Sequence, residues 1–375
     1  MSGASAFIAT TDLSVPVIGA GIGGLTAALA LARHGIFTEV FEQADALTEV
    51  GAGIQLTPNG LRLLDRLGLG DALRAAGAPA PGLRILSGLS GRSLAVLPFD
   101  PGQYLFIYRP DLIDILAGAV GAAGVAVHLG DRVTPDDLDS PVVVAADGVH
   151  SATRLTLNPR AAARYAGLVA YRTTVRALPS DPPEARLWTL PDGHVVAYPI
   201  GGARVNLVAV RAERAWNSLS WSEPAESGDL IEAFPKAAPA LKALLFRADE
   251  VTKWGLREAA PIPTWHDGRT VLIGDAAHPT LPFLAQGANM AIEDGYLLAR
   301  LIAEHGPDAL PHFQSLRQNR TRRIVAAADL QGRIYHARGP ARWAIDTGLR
   351  ALGSVAPGLL PRRYGWIHNF DADAI

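Results

Sequence analysis

Apolar residues fall into short continuous runs early and late in this chain, and into alternating segments between them. Val15 to Ile18 is a β-branched run stopped by a glycine turn, which predicts a buried parallel strand. Leu25 to Arg33 is rich in Ala and Leu and stops at Gly35, which predicts a helix with a glycine end. Ile36 to Phe41 predicts a second strand, closed by Glu42, and the three elements make one βαβ unit. Val142 to Ala146 and Thr270 to Ile273 predict two further buried strands. Helical patterns lie near Leu61 to Leu67, from Asp111 to Ala123 and from Gln286 to Arg300, and the chain past Gly295 is largely helical. From about Arg164 to Arg211 the texture changes. Segments 168–175, 194–198 and 205–210 alternate or run apolar, with turns at Pro191-Asp192-Gly193 and Gly201-Gly202, and predict antiparallel strands of a second sheet.

Three glycine-bearing motifs punctuate this pattern at strand ends, where open α/β sheets bind ligands. In Gly19-Ala-Gly21-Ile-Gly-Gly24, Gly19 permits the tight turn, Gly21 lets backbone approach a pyrophosphate, and Gly24 lets the helix pack close. The helix start then attracts phosphate. Glu42 ends the next strand, where a carboxylate takes ribose hydroxyls and repels a 2′-phosphate. Asp147-Gly148 follows the 142–146 strand, with Ser151 and Arg154 just beyond. Gly274-Asp275 follows the 270–273 strand, where a carboxylate can accept from ribitol hydroxyls, which FAD has and NAD lacks. Gly287-Ala288-Asn289 then opens a helix whose positive end favours a negatively charged flavin.

Composition removes several alternatives. The 375 residues are 49% hydrophobic and 19% charged, as in an ordinary globular protein with room for one large domain or two joined ones. A formal net charge of −2 leaves no electrostatic footprint for nucleic acid or an anionic membrane. There are no cysteines, so disulfides, thiolate metal sites and cysteine-linked flavin are excluded. The apolar stretch Val15 to Ala32 is crowded with glycine and preceded by no positive charge, which argues against a membrane span or signal peptide. A cytoplasmic location is the expectation.

In these motifs the chain resembles the single-component FAD-dependent aromatic hydroxylases (group A flavoprotein monooxygenases), in the salicylate hydroxylase and 3-hydroxybenzoate 6-hydroxylase branch. The resemblance runs through Glu42-Gln-Ala, Gly51-Ala-Gly-Ile-Gln-Leu-Thr-Pro-Asn59, Tyr108-Arg109-Pro-Asp-Leu112, Ala146-Asp-Gly-Val-His-Ser151, Gly274 to Asp294, and the tail near Trp366 and Asp371. It implies a Rossmann-type α/β FAD-binding fold like that of p-hydroxybenzoate hydroxylase, with an inserted antiparallel or mixed β-sheet substrate domain. The FAD-binding parts are expected at 1–70, 105–163 and 255–310, the substrate sheet at 71–104 and 164–254, and a helical region at 311–375. It implies non-covalent FAD, NADH or NADPH as co-substrate, O2, a small aromatic substrate and a possible homodimer. It implies that Arg109 contacts the FAD phosphates or ribityl chain, that Asp147 lies beside the groove for FAD and NAD(P)H, and that Asp275 binds ribitol. NAD(P)H would reduce the FAD, and an OH would reach an activated ring through a flavin C4a-hydroperoxide. Ala285 departs from the glycine many relatives carry before Gln-Gly.

On the substrate side, His194 and Tyr198 lie four apart on a predicted strand, hence on one face. Related hydroxylases carry a His-x-x-x-Tyr pair there, and a histidine can take a phenol proton. His194 equally reads as a surface histidine starting a strand after Asp192-Gly193, and Tyr198 as core. Candidate catalytic side chains are therefore His194, Tyr198 and Gln286. Gln55, Pro282 and Phe283 are candidates for the pocket wall, with Gln55 arguing against a pyridine substrate. Arg84, Arg172 and Arg204 are candidate partners for a substrate carboxylate, against the default of solvated arginines. His278 lacks companions at metal-ligand spacing. The run Arg317, Arg320, Arg322, Arg323 predicts a solvated or interdomain helix face. Rivals are a relative acting on a non-phenolic ring, by hydroxylation or epoxidation, and a catalytically idle flavin-binding protein.

Overall fold

The computed structural model describes residues 13–47, 52–218, 220–355 and 358–375. Gly51 of the resemblance, and the first twelve residues of the expected FAD-binding part, lie outside the described residues.

Five parallel strands form one layer, in the order Thr270–Leu272, Val143–Ala145, Val17–Ile18, Glu39–Glu42 and Ala126–Leu129. Their continuous apolar runs suit burial on both faces, and Val17, Val144 and Val271 are fully buried. Strand order reverses at the centre, where Val17 pairs with Val144 and Ile18 with Ala145. That reversal opens a crevice beyond the carboxyl ends of the two strands. Gly19 and Ala146 face each other there.

The helix Ile22–Arg33 follows the first turn and packs on the late helix Gly287–His305. Two glycines allow the approach. A Cβ at Gly23 would sit 3.2 Å from the Ala291 methyl, and one at Gly295 would sit 2.7 Å from the Ala27 nitrogen.

The second layer is a mixed eight-stranded sheet, ordered Ser222–Ala225, Val251–Glu258, Arg164–Arg176, Arg204–Ala212, Gly193–Ile200, Ala185–Leu190, Gly82–Ser87 and Ser93–Pro98. Its neighbours run antiparallel except Ala185–Leu190 and Gly82–Ser87, which run parallel. A small sheet of Gly53–Leu56, Ala78–Pro79 and Leu105–Tyr108 sits between the layers. It touches the large sheet closely: Asn206 Oδ1 accepts the Gly53 amide at 2.6 Å, and a Cβ at Gly53 would meet the Tyr198 ring at 2.7 Å. The long helix Ala309–Tyr335 and the helix Gly339–Val355 follow and close over one end of the large sheet. Among the described residues no helix is long and apolar enough to cross a membrane.

Candidate active site

A cavity of about 320 Å³ starts at the crevice and runs between the layers. At one end it is lined by Gly21, Ile22, Gly23, Ala146 and Gly148, at its middle by Arg109, Asp275, Gly287 and Ala288, and at the other end by the large sheet. Glycine shapes the first end. Gly19 has φ +99°, and a Cβ there would lie 2.4 Å from the Ala146 oxygen; a Cβ on Gly24 would lie 1.9 Å from the Gly19 oxygen. Gly21 instead has nothing within 4 Å of its Cβ position, so its bareness keeps the cavity open rather than relieving a clash. The first-turn N–H groups of the helix have no intrahelical partner, and they stand at this end.

Asp275 is solvent-accessible where it faces the cavity. It is nonetheless deep enough that desolvation raises its carboxyl pKa, against the pull of His278 and Arg109. Asp147 accepts from the Thr153 amide at 3.2 Å and hydroxyl at 3.0 Å, while its Oδ1 is buried without a hydrogen-bond partner among the described residues. Arg154 is buried and donates to the carbonyls of Ala276 and Ala277, which ties the middle motif to the late one. These features fit a dinucleotide: a bare backbone at a helix start, a cation and a carboxylate midway, and a far end walled by the large sheet.

Not every expected cofactor contact reaches the cavity. Glu42 spends its carboxylate on the Ala20 amide at 2.8 Å and the Ala44 amide at 3.0 Å, bracing the glycine turn. Asn289 is fully buried. Its amide donates to the carbonyls of Gln55 and Ala285 and accepts the Thr57 amide, so it locks the strand Gly53–Leu56 to the late helix. Gln286 is likewise buried, donating to Thr57 Oγ1 and accepting from Asn59, each at 3.0 Å. It is a bracing residue and not part of the cavity wall, which corrects its place among the catalytic candidates.

At the far end the wall is one face of the large sheet. Register places His194 opposite Val210, Tyr198 opposite Asn206, and Arg172 opposite Val208. Alternation then turns Arg172, His194, Val196, Tyr198, Val208 and Val210 into the same cavity. His194 is buried, so the surface reading is excluded. Burial, with His336 beside it, holds its imidazole pKa well below the ordinary 6.5. Burial pushes the Tyr198 phenol up, opposed by Arg172 and a hydrogen bond with Gln55. Tyr198 also packs on the Phe106 ring at 4.9 Å, so it is core and wall at once. Arg172 lies over the Trp254 ring at 4.8 Å.

Two of the three arginines are elsewhere. Arg84 sits between Leu83 and Ile85, which face the pocket, and so points to the other side of the sheet, paired with Glu184 at 2.5 Å. Arg204 shares the face of Val208 but lies two residues, about 7 Å, beyond the Tyr198–Asn206 pair and does not line the cavity. There it pairs with Asp111 at 3.4 Å over the Tyr108 ring.

A second cavity of about 190 Å³ adjoins the first and shares Gln55, His194, Val196, Pro282 and Ala285 with it. Leu187, Phe283, Ile345 and Leu349 make much of its wall apolar. Ala285 turns the chain here in a left-handed conformation, φ +53° and ψ +36°. That is the geometry its glycine-bearing counterparts would adopt freely.

Behind the site lies a charge cluster that removes the solvated alternative for this helix face and leaves the packed one. Arg317 and Arg320 are buried, not solvated. Arg317 binds Asp294 at 2.7 Å and Glu293 at 2.5 Å; Arg320 binds Glu293 at 2.7 Å. Helical spacing brings both guanidinium groups to the late helix. Asp294 in turn accepts the Gly274 amide at 2.9 Å and His278 Nε2 at 2.5 Å, which fixes the Gly-Asp turn. Burial opposes its charge, yet His278, Arg317 and these hydrogen bonds hold its pKa down to about 2. The sequence signal for Asp294 was two adjacent acids inside an apolar helix.

Comparison with known proteins agrees with this geometry. The chain belongs to a family described as FAD binding domain, matched over residues 12–328, and it is a flavoprotein monooxygenase with FAD as its cofactor. It is 37% identical to 3-amino-4-hydroxybenzoate 2-monooxygenase of Streptomyces cremeus, over 96% of this chain and 95% of that protein. It is 33% identical to 3-hydroxybenzoate 6-hydroxylase 1 of Aquipseudomonas alcaligenes, over 88% of this chain and 91% of that one. A solved salicylate hydroxylase substrate complex superposes with a TM-score of 0.83 at 26% identity, covering 97% of both chains.

Proposed function

We propose that this enzyme hydroxylates a small phenolic ring of the hydroxybenzoate class, with His194 as the base that takes the phenol proton. The relatives above act, by name, on hydroxybenzoates and on salicylate. When bound, FAD supplies electron transfer from NAD(P)H and the activation of O2.

In this reading Gly21 to Gly23 and Gly148 hold the pyrophosphate, Arg109 and Asp275 hold the middle of the cofactor, and Gly287 and Ala288 hold the ring edge. The substrate lies against the sheet face. Arg172 is the candidate for its carboxylate, since it is the member of the arginine set that lines the cavity. Tyr198 and Gln55 orient the ring, and the apolar second cavity keeps water from the reacting edge.

One observation carries the proposal: a buried imidazole, kept neutral by its surroundings, lines the cavity at its sheet end. A neutral imidazole is a base; an imidazolium is not. The rate of hydroxylation should therefore hold above the His194 pKa, which lies below 6.5, and fall as pH drops through it. In His194→Ala the phenol must ionise by itself. The rate at neutral pH should drop about 100-fold or more. It should then climb with pH toward about 10, the ordinary phenol range. Steady-state rates over that pH span test this, and superimposable profiles for the two proteins would remove His194 from the role.

A further inference from the structure

The proton path continues past the cavity wall. His194 Nδ1 lies 2.9 Å from Nε2 of His336, and the two rings stack at 30°. His336 caps the long helix Ala309–Tyr335. Its carbonyl accepts the Asp192 amide at 3.2 Å, and Asp192 pairs with the exposed Arg338. Exposure rises along this line, from 3% at His194 to 38% for the Asp192 side chain. With Nδ1 committed to His336, Nε2 of His194 is the nitrogen left for a ligand in the cavity.

We propose that His336 is a relay residue, passing the phenol proton from His194 to solvent at the Asp192–Arg338 edge. The inference rests on the reading of His194 as the base. A lone buried histidine would have to keep the proton as a cation in an apolar chamber, which desolvation opposes. A partner lets the charge leave. The substrate O–H bond breaks as Nε2–H forms on His194. The Nδ1–H bond of His194 breaks as Nε2–H forms on His336, and the Nδ1 proton of His336 passes to water. The reverse sequence returns a proton to the product and restores both tautomers.

The groups facing His336 are consistent with brief rather than lasting protonation. Desolvation holds its pKa down to about 4, Asp192 pulls it up, and Arg342 from the following helix pushes it down. The Phe283 and Tyr335 rings flank the pair and carry no charge at neutral pH.

The test uses the full chain loaded with FAD, and 3-hydroxybenzoate and 3-amino-4-hydroxybenzoate as probes. Flavin absorbance reports ligand arrival, ultraviolet difference spectra report phenolate, and a pH indicator in weak buffer reports proton release. In the unaltered enzyme release should keep pace with arrival. His336→Gln should bind at the same rate but release the proton about 10- to 100-fold more slowly, with partial rescue by added imidazole. Asp192→Asn, at a half-exposed turn, should shift the pH profile of release downward, since it removes the charge that favours protonated His336. Release at the unaltered rate in His336→Gln, with phenolate lost in His194→Gln, would overturn the relay and leave the base in place. Phenolate formation persisting in His194→Gln would overturn the base and the relay together.

Discussion

The two ends of the main cavity are built by different means. The crevice end is backbone: Gly19, Gly21, Gly24 and Gly148 act through what their missing side chains permit. The sheet end is side chains: His194, Tyr198 and Arg172 meet because three strands pair in a particular register. A backbone site tolerates almost no substitution but leaves a compact sequence signature. A side-chain site can change its contents residue by residue while the strands stay the same. One scaffold can therefore keep its cofactor and vary its substrate.

Substitutions should separate the ends in order of severity. Gly24→Ala places a methyl 1.9 Å from a backbone oxygen, so the turn cannot form; the protein should be isolated without flavin colour or not at all. Gly21→Ala is the sharper probe, because that methyl meets no protein atom. It should fold with an unchanged Tm and bind FAD about tenfold or more weakly in a titration. A variant that bound FAD normally would remove the backbone argument at this end.

Next comes the support common to both ends. Arg317→Leu leaves buried carboxylates undercompensated and should cost about 3–5 kcal/mol in denaturant unfolding. Arg84→Ala removes a half-exposed pair on the far side of the sheet, and should cost about 1 kcal/mol or less. Equal costs would mean that the cluster behind the late helix is not structural. The smallest effect is expected at Ala285→Gly, which frees a left-handed turn and should raise stability by about 1 kcal/mol or less, after the entropy of glycine is counted. A fall in Tm there would show that the methyl matters more to the walls of the two cavities than its conformation costs.

The same contrast explains what the sequence disclosed. The first turn, the two Asp–Gly type motifs and the strands leading into them are local patterns, and strand and turn were legible at each, with the helix read at the first and the last but not after Asp147-Gly148. So was the pairing of His194 with Tyr198, because strand alternation needs only their spacing. Arg84 was misplaced because its parity against Leu83 and Ile85 decides its side, and no turn signal fixed that parity. The bracing roles of the Gln286 and Asn289 side chains were not legible because their partners, Thr57, Asn59 and Gln55, lie more than two hundred residues away. The Arg317–Arg320 spacing was visible, but the same spacing serves a wet face or a buried one. Only the acids of the neighbouring helix decide it.

The central crevice also has a consequence for synthesis. Its wall takes Gly21 from the beginning of the chain, Gly148 from the middle and Gly287 from the last third. Among the described residues, the strand Thr270–Leu272 joins its sheet through Val143–Ala145 alone. A nascent polypeptide on the ribosome therefore owns no complete berth for the coenzyme until nearly four-fifths of it has been translated. Prosthetic-group capture must be a late event in biogenesis, and premature termination before the final third should yield only colourless fragments.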